Sequence, residues 1–239
     1  MNDLAIRLAE QGDQPEPLFD VKPRLLDLYS CAGGATKGYQ RAGFHVTGVD
    51  IEDQPRYCGD EFHQGDALAF LIAHGHEYAA IHASPPCQKF TAYRRRGAGV
   101  GDTYLNLIAE TRQLLQTIGV PFVIENIPGA PLNDPVQLCG SSFGLDVRRH
   151  RLFESNLALT APVCDHKWQT PRFPPATNRA NLRSTVEVGV WRIPLATQQA
   201  AMGIDWMQLR ELSEAVPPAY TELLGRQLLE HMTRTERAA

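Results

Sequence analysis

Apolar positions along this chain fall into short continuous runs that alternate with segments whose apolar residues recur at helical spacing. The runs predict buried strands, and the spaced segments predict amphipathic helices. In chain order the prediction is a strand at 24–30, a helix at 36–42, a strand at 44–50, a helix at 67–74, a strand at 78–83, a helix at 103–118 and a strand at 121–125. Strands joined through helices form right-handed crossovers, so we expect an α/β fold whose mostly parallel sheet is covered by helices on both faces.

Outside this alternation the pattern is weaker. Residues 156–190, called the irregular segment below, are rich in Pro, Thr, Asn and Arg and show little periodicity, whereas helical patterns return at 195–202 and 217–232. We therefore divide the chain into an N-terminal extension (1–23), a core (24–155), the small irregular segment (156–190) and a C-terminal part that returns to the core (191–239).

The composition is that of one large globular domain. With 239 residues and 43% hydrophobic content, the chain can build a full core. No apolar run approaches the roughly 18 residues that span a bilayer, and the N-terminus lacks the basic-then-apolar order of a signal peptide. We expect a soluble, cytoplasmic protein without a membrane partner.

The cysteines indicate reduced thiols. Their number, five, is odd, and no C-x-x-C pair is present, which argues against a disulfide framework and a zinc knuckle. Cys164-x-His166 has the residue types of half a metal site, but no second half is evident in the sequence. We therefore predict no bound metal.

Basic residues are concentrated in the middle of a chain whose formal net charge is −4. From Cys87 to Arg192 there are 13 Lys and Arg against 8 Asp and Glu, a local +5, which leaves 10 against 19, or −9, elsewhere. The densest clusters lie at 94–96 and 148–151. Either could be a solvated surface run, but their positions beside candidate catalytic loops favour phosphate binding.

Two of the predicted strands end in features of an adenosyl site. Gly33-Gly34 after the first strand lets the backbone approach a ligand, and Asp50 after the second can accept hydrogen bonds from ribose hydroxyls. The glycine spacing does not match G-x-G-x-x-G, so a nucleoside-type cofactor such as S-adenosylmethionine is favoured over a dinucleotide. Asp66 could contact the adenine amine or cap a helix N-terminus.

The next two strand ends carry a thiol and a carboxyl group. Cys87 follows two prolines in a polar segment, and neighbouring amides or arginines would have to favour its thiolate, because a free thiol has a pKa of about 8.5. Glu125 ends an apolar run, where burial tends to retain its proton. A protonated Glu can donate to a pyrimidine ring nitrogen and accept from an exocyclic amine, which selects cytosine. Without Cys87, a strand-end Glu in a salt bridge would be the simpler interpretation.

Taken in order, these motifs resemble those of the cytosine-C5 DNA methyltransferases, from Leu26 to about Leu229. The matching stretches are Asp27-Leu28-Tyr29-Ser30-Cys31-Ala32-Gly33-Gly34, Val49-Asp50-Ile51, Gly65-Asp66, Ser84-Pro85-Pro86-Cys87-Gln88, Glu125-Asn126-Ile127 and Arg149-His150-Arg151. The resemblance implies a Rossmann-like S-adenosylmethionine-dependent methyltransferase fold and methyl transfer to cytosine C5 in double-stranded DNA.

The resemblance also implies a mechanism and a set of site residues. The cytosine is flipped out of the duplex, Cys87 attacks C6 while Glu125 and Arg151 stabilise the ring, and C5 takes the methyl group before losing its proton as Cys87 leaves. The catalytic set is Cys87, Glu125, Arg149 and Arg151. The cofactor-binding set is Tyr29, Ser30, Cys31, Ala32, Gly33, Gly34, Asp50, Ile51, Asp66, Ala67, Ser84, Pro86, Glu214 and Ala215. The DNA-binding set is Gln88, Lys89, Arg94, Arg95, Arg96, Arg172, Arg179 and Arg183.

Two departures from the family pattern have consequences. The last motif reads Ser213-Glu214-Ala215-Val216-Pro217 where the family has Gly-Asn-x-Val-Pro, so an acid replaces the Asn near the cofactor. That acid would disfavour a carboxylated S-adenosyl donor and suit the ordinary sulfonium. The irregular segment is short for a DNA-reading region, which predicts a short or relaxed recognition sequence, or a partner protein or second copy that supplies further contacts.

Two other functions stay open at this point. One branch of the same family methylates tRNA, so an RNA cytosine methyltransferase is an alternative. A non-catalytic protein that binds S-adenosylmethionine or DNA is the other, although the joint presence of Cys87, Glu125, Arg149 and Arg151 favours an enzyme. The biological role, whether restriction-modification, phage self-protection or regulation, is not determined by these motifs.

Overall fold

The computed structural model describes residues 21–86, 107–167, 169 and 185–238. Within these ranges the strands form one seven-stranded sheet in the order β3-β2-β1-β4-β5-β7-β6. The strands are β1 (Arg24–Leu28), β2 (His45–Asp50), β3 (Glu61–Gln64), β4 (Ala80–Ala83), β5 (Phe122–Asn126), β6 (Val136–Leu138) and β7 (Arg151–Ser155). Strands β1 to β5 pair parallel with one another, which confirms the predicted mostly parallel sheet.

Helices cover both faces of the sheet. They are α1 (Gly34–Ala42), α2 (Ala67–His74), α3 (Leu107–Ile118), α4 (Leu195–Met202), α5 (Leu209–Glu214) and α6 (Pro218–Ala238). Side chains along β1 alternate between the two faces, because successive residues of a strand point in opposite directions. Leu25 packs into the core formed with α1 and α6, and Leu26 packs into the core formed with α2 and α3.

One part of the sheet differs from the predicted alternation. Strand β7 runs antiparallel to β5 and β6, and none of β6, β7 and α5 was predicted from the sequence. Because β7 is reversed, its first residue lies at the same sheet edge as the last residues of β5. This brings the Arg149–Arg151 stretch to the edge where the parallel strands end.

Some predictions cannot be compared with the structure. The N-terminal extension up to residue 20, the helix start at 103–106 and most of the irregular segment lie outside the described residues. The division into four parts stays a prediction. In the described part of the chain, no helix combines the length and the apolarity that crossing a membrane requires.

Helices α1 and α6 approach closely where α1 has a glycine. A Cβ atom at Gly38 would overlap Thr221 Oγ1 and the carbonyl oxygen of Pro218. The Thr221 hydroxyl also donates to the Ala35 carbonyl oxygen (2.8 Å), which ties the two helices together. Only a residue without a Cβ fits this crossing.

We expect Gly38→Ala to lower the free energy of unfolding by about 1–3 kcal/mol, because the helices must separate to admit the methyl group. In an uncrowded helix the same change would be stabilising by roughly 0.5–1 kcal/mol. Urea denaturation measures the difference, and Arg41→Ala on the exposed face of the same helix should stay within about 0.5 kcal/mol of wild type. A Gly38→Ala protein as stable as wild type would contradict the tight crossing.

Candidate active site

The loop after β1 is held in an unusual backbone conformation. Tyr29 and Cys31 have positive φ angles of 60° and 44°, and Gly33 has a φ of 86°. Non-glycine residues rarely adopt this region, and such strain is concentrated at functional sites. Within this turn the Gly33 amide donates to the Ser30 carbonyl oxygen at 3.0 Å.

The C-terminal part of the chain closes over this loop. A Cβ atom at Gly34 would lie 2.6 Å from the Val216 carbonyl oxygen, so the two backbones are in direct contact. The indole Nε1 of Trp206 donates to the Ala32 carbonyl oxygen at 2.8 Å. Ala215 is buried against the loop and Glu214 is exposed beside it. The structure thus brings the first and last predicted cofactor motifs together.

Asp50 at the end of β2 is fixed by backbone amides. The Cys31 amide donates to Asp50 Oδ2 at 2.8 Å, and the Glu52 amide donates to Oδ1 at 3.0 Å. Ile51, next to it, leaves 68% of its surface exposed, an apolar face beside the acid. Each carboxylate oxygen keeps a second lone pair for a ligand hydroxyl.

Asp66 lies at the next strand end and caps a helix. Its Oδ1 accepts from the Ala69 amide at 2.8 Å, which is the N-cap geometry of α2. Of the two interpretations drawn from the sequence, the helix cap is therefore present in the structure. Ala67 begins that helix and is buried.

The residues at this end of the sheet fit an adenosyl group. The hydroxyl oxygen of Ser30 is buried and has no hydrogen-bond partner among the described residues, so a ligand could satisfy it. The Gly33-Gly34 turn leaves no room for side chains, because a Cβ atom at Gly33 would lie 2.8 Å from Cys58 Sγ and one at Gly34 would lie 2.6 Å from the Val216 carbonyl oxygen. Together with Asp50 and Ile51, these groups offer a polar and an apolar contact to a nucleoside.

Glu125 is the buried acid of the site. It lies in β5 with 6% of its surface exposed, and its Oε1 is 3.0 Å from Nε of Arg151. Burial raises the pKa of Glu125, while the Arg151 guanidinium and a hydrogen bond from Ser84 lower it. The net direction is upwards, so the side chain retains its proton to a higher pH than an exposed Glu.

Behind Glu125 runs a chain of hydrogen bonds. Tyr39 OH is 3.0 Å from Nδ1 of His82, and Nε2 of His82 is 2.9 Å from the Ser84 hydroxyl, which in turn bonds Glu125. Burial lowers the pKa of His82 to about 3, so the imidazole is neutral. One direction satisfies every group: Tyr39 donates to Nδ1, Nε2–H donates to Ser84, and Ser84 donates to Glu125.

The loop that precedes Cys87 is anchored to the same strand. Asn126 Nδ2 donates to the Pro85 carbonyl oxygen at 3.0 Å, and its Oδ1 accepts from the Ile127 amide at 3.0 Å. This bond holds the Ser84–Pro86 turn against the end of β5. Cys87 follows Pro86 directly but lies outside the described residues.

Arg149 occupies a different place from Arg151. It donates to the carbonyl oxygens of Ala215 (2.8 Å) and Ser213 (2.6 Å), next to the loop that follows β1. Its φ of 23° is again strained, and Tyr220 OH donates to its carbonyl oxygen at 2.8 Å. Arg149 thus hydrogen-bonds the C-terminal part of the chain, whereas Arg151 forms an ion pair with Glu125.

The remaining predicted residues cannot be placed. The predicted residues outside the described part of the chain are Cys87, Gln88, Lys89, Arg94, Arg95, Arg96, Arg172, Arg179 and Arg183.

Three polar residues of the site were given no role from the sequence: Asp27, His82 and Asn126. Asp27 and His82 are polar residues inside apolar strand runs, a signal that could have revealed buried functional groups. Burial raises the pKa of Asp27 from its ordinary value of 3.8 to about 7, against a hydrogen bond donated by Thr36. The site thus contains a second buried acid.

A group outside this site changes one sequence interpretation. The Cys164-x-His166 pair lacked a second half in the sequence, but the structure places Cys139 and His150 beside it. The ligand atoms of all four residues lie within 4.8 Å of one another.

Comparison with known proteins supports the fold. No family model matches the sequence, and no curated protein matches it significantly. Among solved structures, a prophage-encoded E. coli protein described as a DNA modification methyltransferase aligns with a TM-score of 0.58 and 15% identity, over 90% of this chain and 100% of that one. The S. pombe Dnmt2 methyltransferase aligns with a TM-score of 0.59 and 12% identity, over 88% and 99%. This chain has the methyltransferase fold.

We expect Asp27→Asn to be more stable than wild type by an amount that depends on pH, because only the wild-type protein has to keep this buried carboxyl group protonated. Below about pH 4 the folded and unfolded states both hold the proton. Between pH 4 and pH 7 the unfolded chain has lost it and the folded protein retains it, so wild-type stability falls through this window. Asn does not titrate, and the variant should exceed wild type by roughly 4 kcal/mol at pH 8 but not at pH 4.

Urea denaturation at both pH values measures this difference. Asp53→Asn, an exposed change near the same strand edge, should show no comparable pH dependence. A constant difference between Asp27→Asn and wild type at pH 4 and pH 8 would contradict the raised pKa.

Proposed function

We propose that this protein is an S-adenosylmethionine-dependent methyltransferase that modifies C5 of cytosine in DNA. The observation that carries the proposal is the buried Glu125, held between Ser84 and Arg151 beside the turn that leads to Cys87. A carboxyl group that keeps its proton, next to a thiol, is the pair needed to make a pyrimidine ring electrophilic and then attack it.

Glu125 supplies the recognition of cytosine. In its protonated form the carboxyl donates to ring N3, and its carbonyl oxygen accepts from the exocyclic amine. Thymine and uracil carry N3–H and a carbonyl oxygen at these positions, so they present the opposite pattern. Arg151, 3.0 Å from Glu125, stabilises the carboxylate that forms when the proton moves to the ring.

Cys87 supplies the nucleophile. Its thiolate forms a bond to C6 as N3 takes the proton from Glu125, and the ring electrons move to C5. N3 returns its proton to Glu125 as C5 bonds the methyl group, whose former sulfonium sulfur leaves as a neutral thioether. C5 then loses its own proton to a base as the C6–S bond breaks, which restores the thiolate. The hydrogen bond from Asn126 to Pro85 positions the turn from which this thiol extends.

Ser30, the backbone of the turn at residues 31–34, Asp50 and Ile51 would hold the methyl donor. Bound there, S-adenosylmethionine supplies an electrophilic methyl group on a sulfonium. Asp50 would accept hydrogen bonds from the ribose hydroxyls, Ile51 would pack on the adenine, and the exposed Glu214 would favour the positive charge of the sulfonium.

A nucleic acid is the favoured substrate, and DNA in particular. The chain segment from Cys87 to Arg192 carries a local charge of +5, which suits a phosphate backbone. One structural neighbour, the prophage-encoded E. coli protein, is described as a DNA modification methyltransferase. A tRNA substrate is the alternative, and the assay below separates the two.

The proposal predicts transfer of tritiated methyl groups from S-adenosylmethionine to duplex DNA and not to tRNA. A duplex of mixed sequence that contains 5-fluorocytosine should form a covalent adduct with the protein, because fluorine at C5 cannot leave as a proton would. Cys87→Ser should abolish the adduct. Methyl transfer to tRNA alone would replace DNA by RNA, and failure of both nucleic acids to accept methyl groups or form an adduct would overturn the enzymatic function.

Glu125→Gln should reduce the rate of methyl transfer by about 10²–10⁴-fold with a much smaller effect on KM. The amide can mimic the hydrogen bonds to cytosine but cannot transfer a proton to N3. Glu154→Gln is the matched control, since Glu154 is equally buried on the neighbouring β7 but pairs with Arg112. We expect Glu154→Gln to lose stability and keep the rate when assayed below its melting temperature. A fully active Glu125→Gln enzyme would exclude Glu125 as the proton donor.

Asp50→Asn should weaken binding of S-adenosylhomocysteine by at least about tenfold, because a charged acceptor for the ribose hydroxyls is lost. Isothermal titration calorimetry measures the change without requiring a nucleic-acid substrate. Asp53→Asn, three residues along and exposed, should bind as wild type does. Equal affinity in Asp50→Asn and wild type would remove Asp50 from the cofactor site.

A further inference from the structure

Four potential metal ligands from distant parts of the chain meet at the β6–β7 edge of the sheet. The sulfur of Cys164 is 3.1 Å from Nε2 of His166 and 3.3 Å from Nε2 of His150, and the sulfur of Cys139 is 3.2 Å from Nε2 of His166. All four ligand atoms lie within 4.8 Å of one another. We propose that Cys139, His150, Cys164 and His166 form a structural zinc site.

Sheet register places the first two ligands opposite each other. Strand β6 pairs antiparallel with β7, and Leu138 is opposite Arg151. One step further along both chains, Cys139 faces His150. Directly opposed residues of an antiparallel pair have Cβ atoms only about 4.5–5.5 Å apart, so their side chains can share a ligand.

The other two ligands enter from the segment that follows β7. Cys164 and His166 are separated by one residue, and in an extended chain such residues point to the same side. They approach from residues that otherwise show no regular secondary structure. The stretch between β7 and these ligands is held to the core through Leu157 and Leu159 and by hydrogen bonds between Thr160 and Gln227, and a shared metal would add a restraint at Cys164 and His166 themselves.

The ligand set selects zinc. Bonds of about 2.3 Å to sulfur and about 2.0 Å to nitrogen place the ligand atoms of a tetrahedral site roughly 3.3–3.8 Å apart, close to the separations seen here. Two thiolates balance the charge of Zn²⁺, and a tetrahedral S₂N₂ set is typical of zinc. The Ser141 hydroxyl donates to the Cys139 sulfur at 3.1 Å, an outer contact that stabilises a thiolate.

The site joins two regions that the proposed chemistry needs together. His150 lies between Arg149 and Arg151, so a metal bond at residue 150 fixes the start of β7. Cys164 and His166 lie within the first part of the irregular segment, before most of its basic residues. Zinc would anchor the irregular segment to the strand that carries Arg151. The metal site itself does not depend on the proposed enzymatic function.

The test uses the full untagged chain, stripped of metal and supplied with ZnCl₂. We expect about one zinc ion per chain by elemental analysis after gel filtration. Cobalt-substituted protein should show the intense visible bands of tetrahedral Co²⁺ together with a sulfur-to-cobalt charge-transfer band. Chelation should lower the melting temperature of the wild-type protein, since a structural metal contributes folding energy.

Cys164→Ser and His166→Ala change partly exposed ligands. Each variant should bind no zinc when one equivalent is supplied, and chelation should no longer lower its melting temperature. Cys58→Ser alters a thiol near the other end of the sheet, which donates to the Gly33 carbonyl oxygen, and should keep its zinc. The cobalt spectrum of the wild-type protein provides a test that does not rely on any variant folding. A wild-type protein that binds no zinc, a cobalt spectrum without thiolate bands, or zinc bound equally by Cys164→Ser would each overturn the site.

Discussion

The contact between Glu125 and Arg151 sets the requirements that the rest of the structure meets. A carboxyl group with 6% exposure is costly to ionise, yet the proposed chemistry needs it to lose and regain a proton. Arg151 lowers that cost from one side and Ser84 from the other. Both partners must be placed from separate strands, so the surroundings of this buried acid depend on sheet topology and not on local sequence alone.

The reversal of β7 is what makes the contact geometrically possible. In a parallel sheet the residue that begins a strand lies at the edge opposite the residue that ends its neighbour. Arg151 begins β7 and Glu125 lies near the end of β5, so a parallel β7 would hold them apart by the length of the strand. The antiparallel pairing of Glu125 with Phe153 and Asn126 with Leu152 closes this gap.

Most of the parallel half of the fold could be predicted from the sequence, because β1, β2, β4 and β5 are mainly buried, largely apolar runs separated by helical segments. The 67–74 and 195–202 helices have the predicted bounds, and β3 is present as the short strand before Asp66. The antiparallel part could not be predicted in the same way. Strand β6 has only three residues, and β7 mixes Arg and Glu with apolar residues. Neither has a local strand pattern, so both form because of the strands with which they pair.

The site shows the same division. Glu125, Ser84 and Asp50 were predicted because they end apolar runs, and chain order alone gives that information. The hydrogen bonds through His82 and Tyr39, and the separate roles of Arg149 and Arg151, depend on contacts between residues far apart in sequence. The sequence motif placed Arg149 and Arg151 in one catalytic set. In the structure the strained turn at Arg149 directs Arg149 towards the C-terminal part of the chain and Arg151 towards Glu125.

One antiparallel register therefore positions two different sets of side chains. Pairing of β7 with β5 brings Arg151 to Glu125, and pairing of β7 with β6 brings His150 to Cys139. A shift of β7 by one residue would turn Arg151 and His150 to the face opposite their partners Glu125 and Cys139, because side chains alternate along a strand. Residues that restrain the start of β7 thus act on the buried acid as well. A restraint that joins the irregular segment to β6 and to His150 would act on Arg151 as well. His150 and Arg151 are linked by a single peptide bond, so a change in the position of the segment would reach Arg151.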